Sequence, residues 1–166
     1  MRFAYLTGWR RGDILCLRWE YIEDQFIRLP DSKNNEGRIL VLEGELWDII
    51  QRRAGERGVG SHEVEWVFHR NGSQIRSFKE AWKAARIAAG VHGKVFHDFR
   101  RTTVRNLIRA GVPDKVAMDM TGHKTRSVFD RYNITSGADL RDASRKLQEY
   151  LATVRVQEQN VQKIEG

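Results

Sequence analysis

Residues 121–132 read T-G-H-K-T-R-S-V-F-D-R-Y, and residues 97–101 read H-D-F-R-R. These two stretches carry the side chains that indicate most about the fold and chemistry of the chain. Tyr132 follows His123 by nine residues. A tyrosine, two histidines and two arginines on different helices can attack a phosphodiester through a covalent intermediate without a metal. Each residue also has an ordinary structural explanation, so the question is whether the fold brings them together.

The charge of the chain favours a polyanionic partner. Its 29 Lys and Arg residues outnumber 22 Asp and Glu residues, which gives a net charge of +7. Most of the positive charge is arginine, whose planar fork suits phosphate oxygens. A soluble domain with a basic surface explains the composition equally well.

The length and cysteine content predict one intracellular domain. A chain of 166 residues with 40% hydrophobic residues can bury a core without disulfides. The single cysteine, Cys16, lies in an apolar run and is predicted to be a small buried side chain in a reducing compartment. No signal peptide or membrane segment is predicted.

Hydrophobic periodicity and turn signals predict an α+β fold that is mainly helical, with a small antiparallel β-sheet near the N-terminus. Lys33 lies near the tip of the predicted hairpin, in the turn of residues 31–37. A capping box of Ser77 and Glu80 is predicted to open one helix. Strands are predicted over residues 26–30, 38–42 and 65–69, and helices over residues 11–19, 43–57, 77–90, 97–110, 113–122, 125–132 and 138–154, with a polar, mobile tail from residue 157.

His97 and Arg100 form the first candidate cluster. Their i, i+3 spacing puts both side chains on one face of a helix, at the end of its buried stripe. The helix N-terminus there also favours a bound phosphate. Taken alone, His97 is more often a capping or core histidine, and Arg100 a surface arginine that extends along apolar neighbours.

His123 and Tyr132 form the second cluster. Gly122 lets the chain turn out of a helix, so that His123 stands at the helix end and Tyr132 returns on the last turn of the next helix, as a mobile terminus. Phe129 and Tyr132, spaced i, i+3, fit two core aromatics equally well. A third piece is T-G-W-R at residues 7–10, followed by Asp13.

The order of these pieces resembles the tyrosine recombinase (phage integrase) family. The resemblance covers essentially the whole chain and matches all six catalytic positions of that family: Arg10, Lys33, His97, Arg100, His123 and Tyr132. Two residues depart from the family pattern. Asp13 has a shorter reach than the glutamate more often found there, and Thr121 replaces a residue that is usually apolar, a change expected to matter little.

The resemblance implies a site-specific DNA recombinase that cleaves and rejoins DNA through a 3′-phosphotyrosine, with no metal, cofactor or ATP. Tyr132 is the expected nucleophile, and His97 is expected to accept its proton. Arg10 and Arg100 are expected to clamp the nonbridging phosphate oxygens, with His123 as a further donor.

Two more roles follow from the resemblance. Lys33 is the expected general acid for the leaving 5′-oxygen. Asp13 is expected to orient the site from behind the residues that contact the phosphate.

The resemblance also implies a domain organisation and partners. Residues 1–166 correspond to the catalytic domain, without the N-terminal core-binding domain and its own first helix. The expected partner is double-stranded DNA, in the nucleoid or on host-cell DNA in the cytoplasm, bound weakly and with steep salt dependence. We expect this chain to be a monomer or weak dimer, and the full-length protein a tetramer on DNA with possible accessory DNA-bending proteins. The last helix is expected to pack on its own domain or on a neighbour's.

Three other functions fit parts of the pattern. The same catalytic residues occur in type IB topoisomerases, which relax DNA. A noncatalytic DNA-binding remnant of a mobile element is the second, although six intact positions argue against it. The third is a basic ribonucleoprotein-associated or structural module, in which Tyr132 is dispensable.

Overall fold

The structure, a computed structural model, describes residues 1–30, 37–58, 64–132 and 135–164, with side chains described as far as residue 154. The fold is α+β and mainly helical, with a small antiparallel sheet near the N-terminus, as predicted. The elements in chain order are α1 (Arg2–Thr7), α2 (Arg11–Leu15), a 3-10 turn (Trp19–Tyr21), β1 (Ile22–Glu23), β2 (Phe26–Leu29), β3 (Arg38–Val41), α3 (Glu45–Ala54), β4 (His69–Arg70), β5 (Ser73–Gln74), α4 (Lys79–Ala88), α5 (Asp98–Arg109), α6 (Asp114–Thr121), α7 (Arg126–Asp130) and α8 (Gly137–Ile164).

The chain divides into two compact units, Met1–Asn133 and Ile134–Gly166. The second unit is built on α8, whose start is capped because Ser136 N and Oγ both donate to Asp139 Oδ2 at 2.7 Å. This helix runs to Ile164, so the predicted helix end at residue 154 is wrong, whereas the predicted mobility from residue 157 stays a prediction. The helix continues because no glycine or proline interrupts residues 138–165.

The main sheet is antiparallel, with the order β1-β2-β3. Ile27 pairs with Leu40, and both side chains face the core, at 0% and 2% exposure. The hairpin predicted at residues 26–42 is therefore confirmed, whereas β1 was not predicted. Lys33 and the turn residues 31–36 lie outside the described residues.

The strand predicted over residues 65–69 is wrong. Only an isolated bridge joins Trp66 to Arg18, and the strand pairing begins at His69 as the short hairpin of β4 and β5. The reason is the Asn-Gly turn at residues 71 and 72, whose positive φ angles of 50° and 80° close a tight hairpin.

The larger hydrophobic core lies between the sheet, α1 and α3. Ile49 and Ile50 of α3 are buried in it, as the helical periodicity predicts. Cys16, predicted to be buried, is exposed. The helix α2 ends at Leu15, and the chain then buries Leu17 instead, at 0% exposure.

A smaller core joins α5, α6 and α7 through Val104, Ala117 and Phe129. Its helices correspond to those predicted, with Gly122 closing α6 in the left-handed conformation at φ 69°. Among the described residues, no helix is long and apolar enough to cross a membrane.

The capping box predicted for α4 does not form. The helix begins one residue later than the box requires, with Phe78 as its N-cap and no side-chain cap. Ser77 Oγ instead accepts a hydrogen bond from Lys79 N at 3.5 Å. Phe78 contacts Phe96 edge to face, at 5.0 Å between ring centroids, so packing places the start of α4.

Candidate active site

Arg100, on the first turn of α5, is the buried centre of the site, at 2% exposure. Its Nη1 donates to Gly8 O at 2.8 Å and to Thr121 O, and its Nη2 donates to Gly122 O at 3.1 Å. Its Nε donates to His123 Nε2 at 3.0 Å. A guanidinium has five N–H groups, so this arrangement leaves one, on Nη2, for a ligand.

Two glycines in the left-handed conformation make this arrangement possible. Gly8 ends α1 at φ 63° and Gly122 ends α6 at φ 69°, and the carbonyls of both accept from Arg100. A Cβ at Gly8 would lie 3.0 Å from Thr103 Cβ, so α1 and α5 approach too closely for a side chain there. The two T-G motifs therefore serve to bring helix ends around one arginine.

His123 is held from both sides of its ring. Nε2 faces Arg100 Nε, and Nδ1 lies 2.7 Å from Thr121 Oγ1. Burial, followed by the charges of Arg100 and Arg10, lowers the pKa of His123 to about 4. The imidazole is therefore neutral at physiological pH.

His97 and Tyr132 form the reactive pair. His97 Nε2 lies 2.7 Å from Tyr132 Oη. Burial, followed by the charges of Arg100 and Arg101, lowers the pKa of His97, so its ring is neutral and can accept the phenolic proton.

Tyr132 lies just beyond α7 and not on its last turn, where it was predicted. Tyr132 follows α7 in a turn in which its N–H donates to Phe129 O at 2.8 Å. Phe129 is the core aromatic of the pair, at 0% exposure, and Tyr132 is half-buried with its hydroxyl turned to His97. The i, i+3 spacing thus serves both structure and site.

Arg10 differs from Arg100 in being exposed and available. Within the described part of the chain, its side chain has no hydrogen bond or ion pair. Arg10 follows by two residues Gly8, whose carbonyl accepts from Arg100, and its charge contributes to lowering the pKa values of His97, Arg100 and His123. The preceding Trp9 anchors the segment, because its indole N–H donates to Met120 O at 2.9 Å.

Asp13 reaches the site through a residue that the sequence analysis missed. Arg38, the first residue of β3, donates from Nη1 to Asp13 Oδ2 at 3.1 Å and lies over the Trp9 ring, 5.4 Å from its centroid. A Cβ on Gly122 would collide with the Arg38 guanidinium, so Arg38 lies directly against the G-H motif. The only signal in the sequence is a cation at the start of the returning strand.

The described residues include five of the six predicted catalytic positions, and the fold brings them together: Arg10, His97, Arg100, His123 and Tyr132. The sixth, Lys33, lies outside the described residues. Thr121, expected to matter little, contacts two of the five. Across the described ranges, no cluster of three or more His, Cys, Asp or Glu side chains is arranged to hold a metal ion.

Comparisons with known proteins place the chain in a family and identify solved structures with a similar fold. The sequence model of the phage integrase family matches residues 1–137. The chain is 28% identical over 171 residues to an integrase of Salmonella phage P22, covering 92% of this chain and 43% of the relative. It is 33% identical over 131 residues to an integrase of Saccharopolyspora erythraea, covering 72% of this chain and 30% of that protein. The chain therefore spans less than half the length of either relative.

Two solved structures share the fold. XerA recombinase matches with a TM-score of 0.69 at 19% identity, over 86% of this chain and 53% of that one. A lambda integrase dimer bound to a COC′ core site matches with a TM-score of 0.64 at 21% identity, over 81% of this chain and 41% of that one.

Proposed function

Because the chain belongs to the phage integrase family, we propose that it is the catalytic domain of a site-specific DNA recombinase that cleaves and rejoins DNA through a covalent 3′-phosphotyrosine on Tyr132. One observation carries the proposal: the Tyr132 hydroxyl lies 2.7 Å from His97 Nε2, in a site surrounded by arginines. A phenol with a pKa of about 10 needs such a base at neutral pH.

In the proposed cleavage step, Tyr132 Oη bonds to the scissile phosphorus and its proton passes to His97 Nε2. The bond from phosphorus to the 5′-oxygen breaks, and that oxygen takes a proton from Lys33. The phosphotyrosine conserves the energy of the broken bond, so rejoining is the reverse reaction and requires no ATP or metal.

The two arginines contribute differently to stabilising the transition state. Arg10 has its whole fork available for a bidentate contact with the nonbridging oxygens, whereas Arg100 offers its one remaining N–H. His123 can donate to the phosphate only after its Nε2 gains a proton and its hydrogen bond with Arg100 Nε breaks. Loss of one such donor typically raises the barrier by about 3 to 4 kcal/mol. Asp13 and Arg38 form an ion pair that lies against Gly122, behind the groups that contact the phosphate.

The proposed substrate is double-stranded DNA in the cytoplasm, either the cell's own nucleoid or a host's DNA. The net charge of +7 and the lambda integrase complex that shares this fold support it. We propose that these residues are one domain of a longer protein with an N-terminal core-binding domain, which forms a tetramer on DNA, with accessory DNA-bending proteins where its sites require them. By itself the chain is a monomer or weak dimer.

The proposal is tested by trapping the covalent intermediate. The probe is a pool of duplex oligonucleotides, each nicked next to a short randomised sequence, so that the cleaved fragment diffuses away and rejoining fails. The 166-residue chain should form a labelled adduct that survives denaturing electrophoresis. Absence of any adduct with the unaltered chain would contradict cleavage by this domain.

Matched tyrosine variants identify the nucleophile. Tyr132→Phe should abolish the adduct, whereas Tyr150→Phe, at an exposed position on α8, should leave it unchanged. An adduct that persists in Tyr132→Phe would overturn the assignment. Supercoiled plasmid relaxation, compared with recombination between two selected sites, separates a recombinase from a relaxing enzyme.

A further inference from the structure

Thr121, the last residue of α6, has a hydroxyl that the proposed mechanism does not use. The side chain is fully buried, at 0% exposure. Its Oγ1 lies 2.6 Å from Ala117 O and 2.7 Å from His123 Nδ1. A buried hydroxyl between a carbonyl and an imidazole nitrogen can fix the position of one proton.

The chemistry of the neighbouring atoms assigns that proton. Ala117 O can only accept, and two oxygens 2.6 Å apart need a hydrogen between them, so the single hydroxyl hydrogen of Thr121 points to Ala117 O and leaves a lone pair facing His123 Nδ1. On the other side of the ring, Arg100 Nε can only donate, so His123 Nε2 must present a lone pair. Both neighbours therefore require the same form of His123: neutral, with its proton on Nδ1.

We propose that Thr121 is a positioning residue that holds His123 in the neutral Nδ1–H tautomer and, through His123 Nε2, fixes the orientation of the Arg100 guanidinium. The partner of one ring nitrogen sets what the other nitrogen can do, as in histidines oriented by a second residue in other active sites. The hydroxyl thereby keeps Arg100 Nε paired with His123, so that the only N–H group of Arg100 left for a ligand is the one on Nη2.

Without the hydroxyl, the Nδ1–H group is a buried donor with no acceptor. Rotation of the ring or transfer of the proton to Nε2 relieves this, and either change removes the acceptor that Arg100 Nε uses. The orientation of Arg100 should then loosen. The consequence for strand cleavage rests on the proposed function, whereas the tautomer does not.

The test is a nitrogen-15 NMR measurement of the histidine side chains in the whole, DNA-free chain at about pH 7. The chain has five histidines, and His123→Gln identifies the signal of interest. The unaltered chain should show protonated Nδ1 and unprotonated Nε2. Thr121→Val should add a population of His123 protonated on Nε2, or broaden the His123 signals through motion. Thr121→Ser keeps the hydroxyl and should show only the Nδ1–H form.

Thr103→Val is the matched control. Thr103 is also buried, at 3% exposure, and its hydroxyl also bonds the carbonyl four residues earlier, as well as Tyr5 O, but its hydrogen-bond partners among the described residues include no histidine. This variant should leave the His123 spectrum unchanged. If Thr121→Val does not fold, Thr121→Ala provides the same comparison with Thr121→Ser.

Two results would overturn the inference: a His123 ring in the unaltered chain that is charged or protonated on Nε2, or a spectrum that Thr121→Val leaves as Thr103→Val does. Trapped-adduct rates provide a separate readout, with an expected loss of about tenfold to a hundredfold for Thr121→Val and recovery in Thr121→Ser. If the tautomer behaves as stated but the unaltered chain forms no adduct, the proposed function fails alone. If adduct forms and the tautomer does not depend on Thr121, the inference fails alone.

Discussion

Replacing Arg100 by alanine should destabilise the fold, whereas replacing Arg10 should not, although both changes should cripple cleavage. Arg100 makes four hydrogen bonds, three of them buried and the fourth, to Gly122 O, partly buried. At about 1.5 kcal/mol for each bond to a charged group, these contribute about 6 kcal/mol. Burial and nearby cations, which lower the pKa of Arg100 to about 10, offset about 3 kcal/mol of that.

The net prediction is a loss of about 3 kcal/mol in the free energy of unfolding for Arg100→Ala. Arg10→Ala is the matched control, because this exposed side chain has no partner within the described part of the chain, and its loss should stay within about 0.5 kcal/mol. Urea titration followed by tryptophan fluorescence measures both. If the free energy of unfolding of Arg100→Ala lies within about 1 kcal/mol of that of the unaltered chain, these hydrogen bonds do not stabilise the fold.

Three further predictions concern pH and backbone geometry. The rate of adduct formation should increase with pH through an apparent pKa below that of a free histidine, because the pKa of His97 is lowered. Arg101→Gln removes one of the charges that lower this pKa, so the increase in rate should move to higher pH. Single-turnover rates measure it, and an unchanged pH dependence in Arg101→Gln would contradict the prediction. Unfolded chains protonate His123 below about pH 6.5, but the folded chain only near pH 4. The free energy of unfolding should therefore decrease by about 3 kcal/mol as the pH is lowered from about 6.5 to about 4. Urea titrations of His123→Gln should lack this pH dependence, and a variant that keeps it would contradict the role given to His123. Gly122→Ala should lower the free energy of unfolding by about 1 to 2 kcal/mol, because the added Cβ would occupy a backbone with a φ of 69° and collide with Arg38. An unchanged midpoint of urea unfolding would contradict this prediction.

Elements with a local cause could be predicted from the sequence. The apolar spacing of α3 and α5 and the glycine that ends α6 each specify a feature within a few residues. The predictions failed where tertiary packing decided the outcome. Cys16 is exposed because α2 stops early, and Phe78 replaces Ser77 at the start of α4 because it packs on an aromatic neighbour.

The site shows the same division. The motifs make His97, Arg100, His123 and Tyr132 candidate site residues, because these residue types in this order are specific. Their hydrogen bonds join residues far apart in sequence, such as Arg100 and Gly8. The spacing of residues therefore cannot predict that backbone carbonyls of the protein accept three of the five N–H groups of Arg100.

Arg38 and Thr121 were missed for related reasons. Arg38 reaches the site only because the sheet lays the start of β3 against Gly122. Thr121 has a role only because a carbonyl of its own helix accepts its proton and leaves a lone pair for His123. Both effects depend on packing that a single sequence does not display.

The proposed mechanism requires Tyr132 to form a covalent bond to DNA. The most direct measurement is mass spectrometry of the proteolysed adduct from the nicked duplex pool, with the nucleotide remnant located by fragmentation. We expect a single modified residue, Tyr132, linked to a 3′-phosphate, and a free 5′-hydroxyl on the released strand. A remnant on any other residue, or a link to a 5′-phosphate, would contradict it.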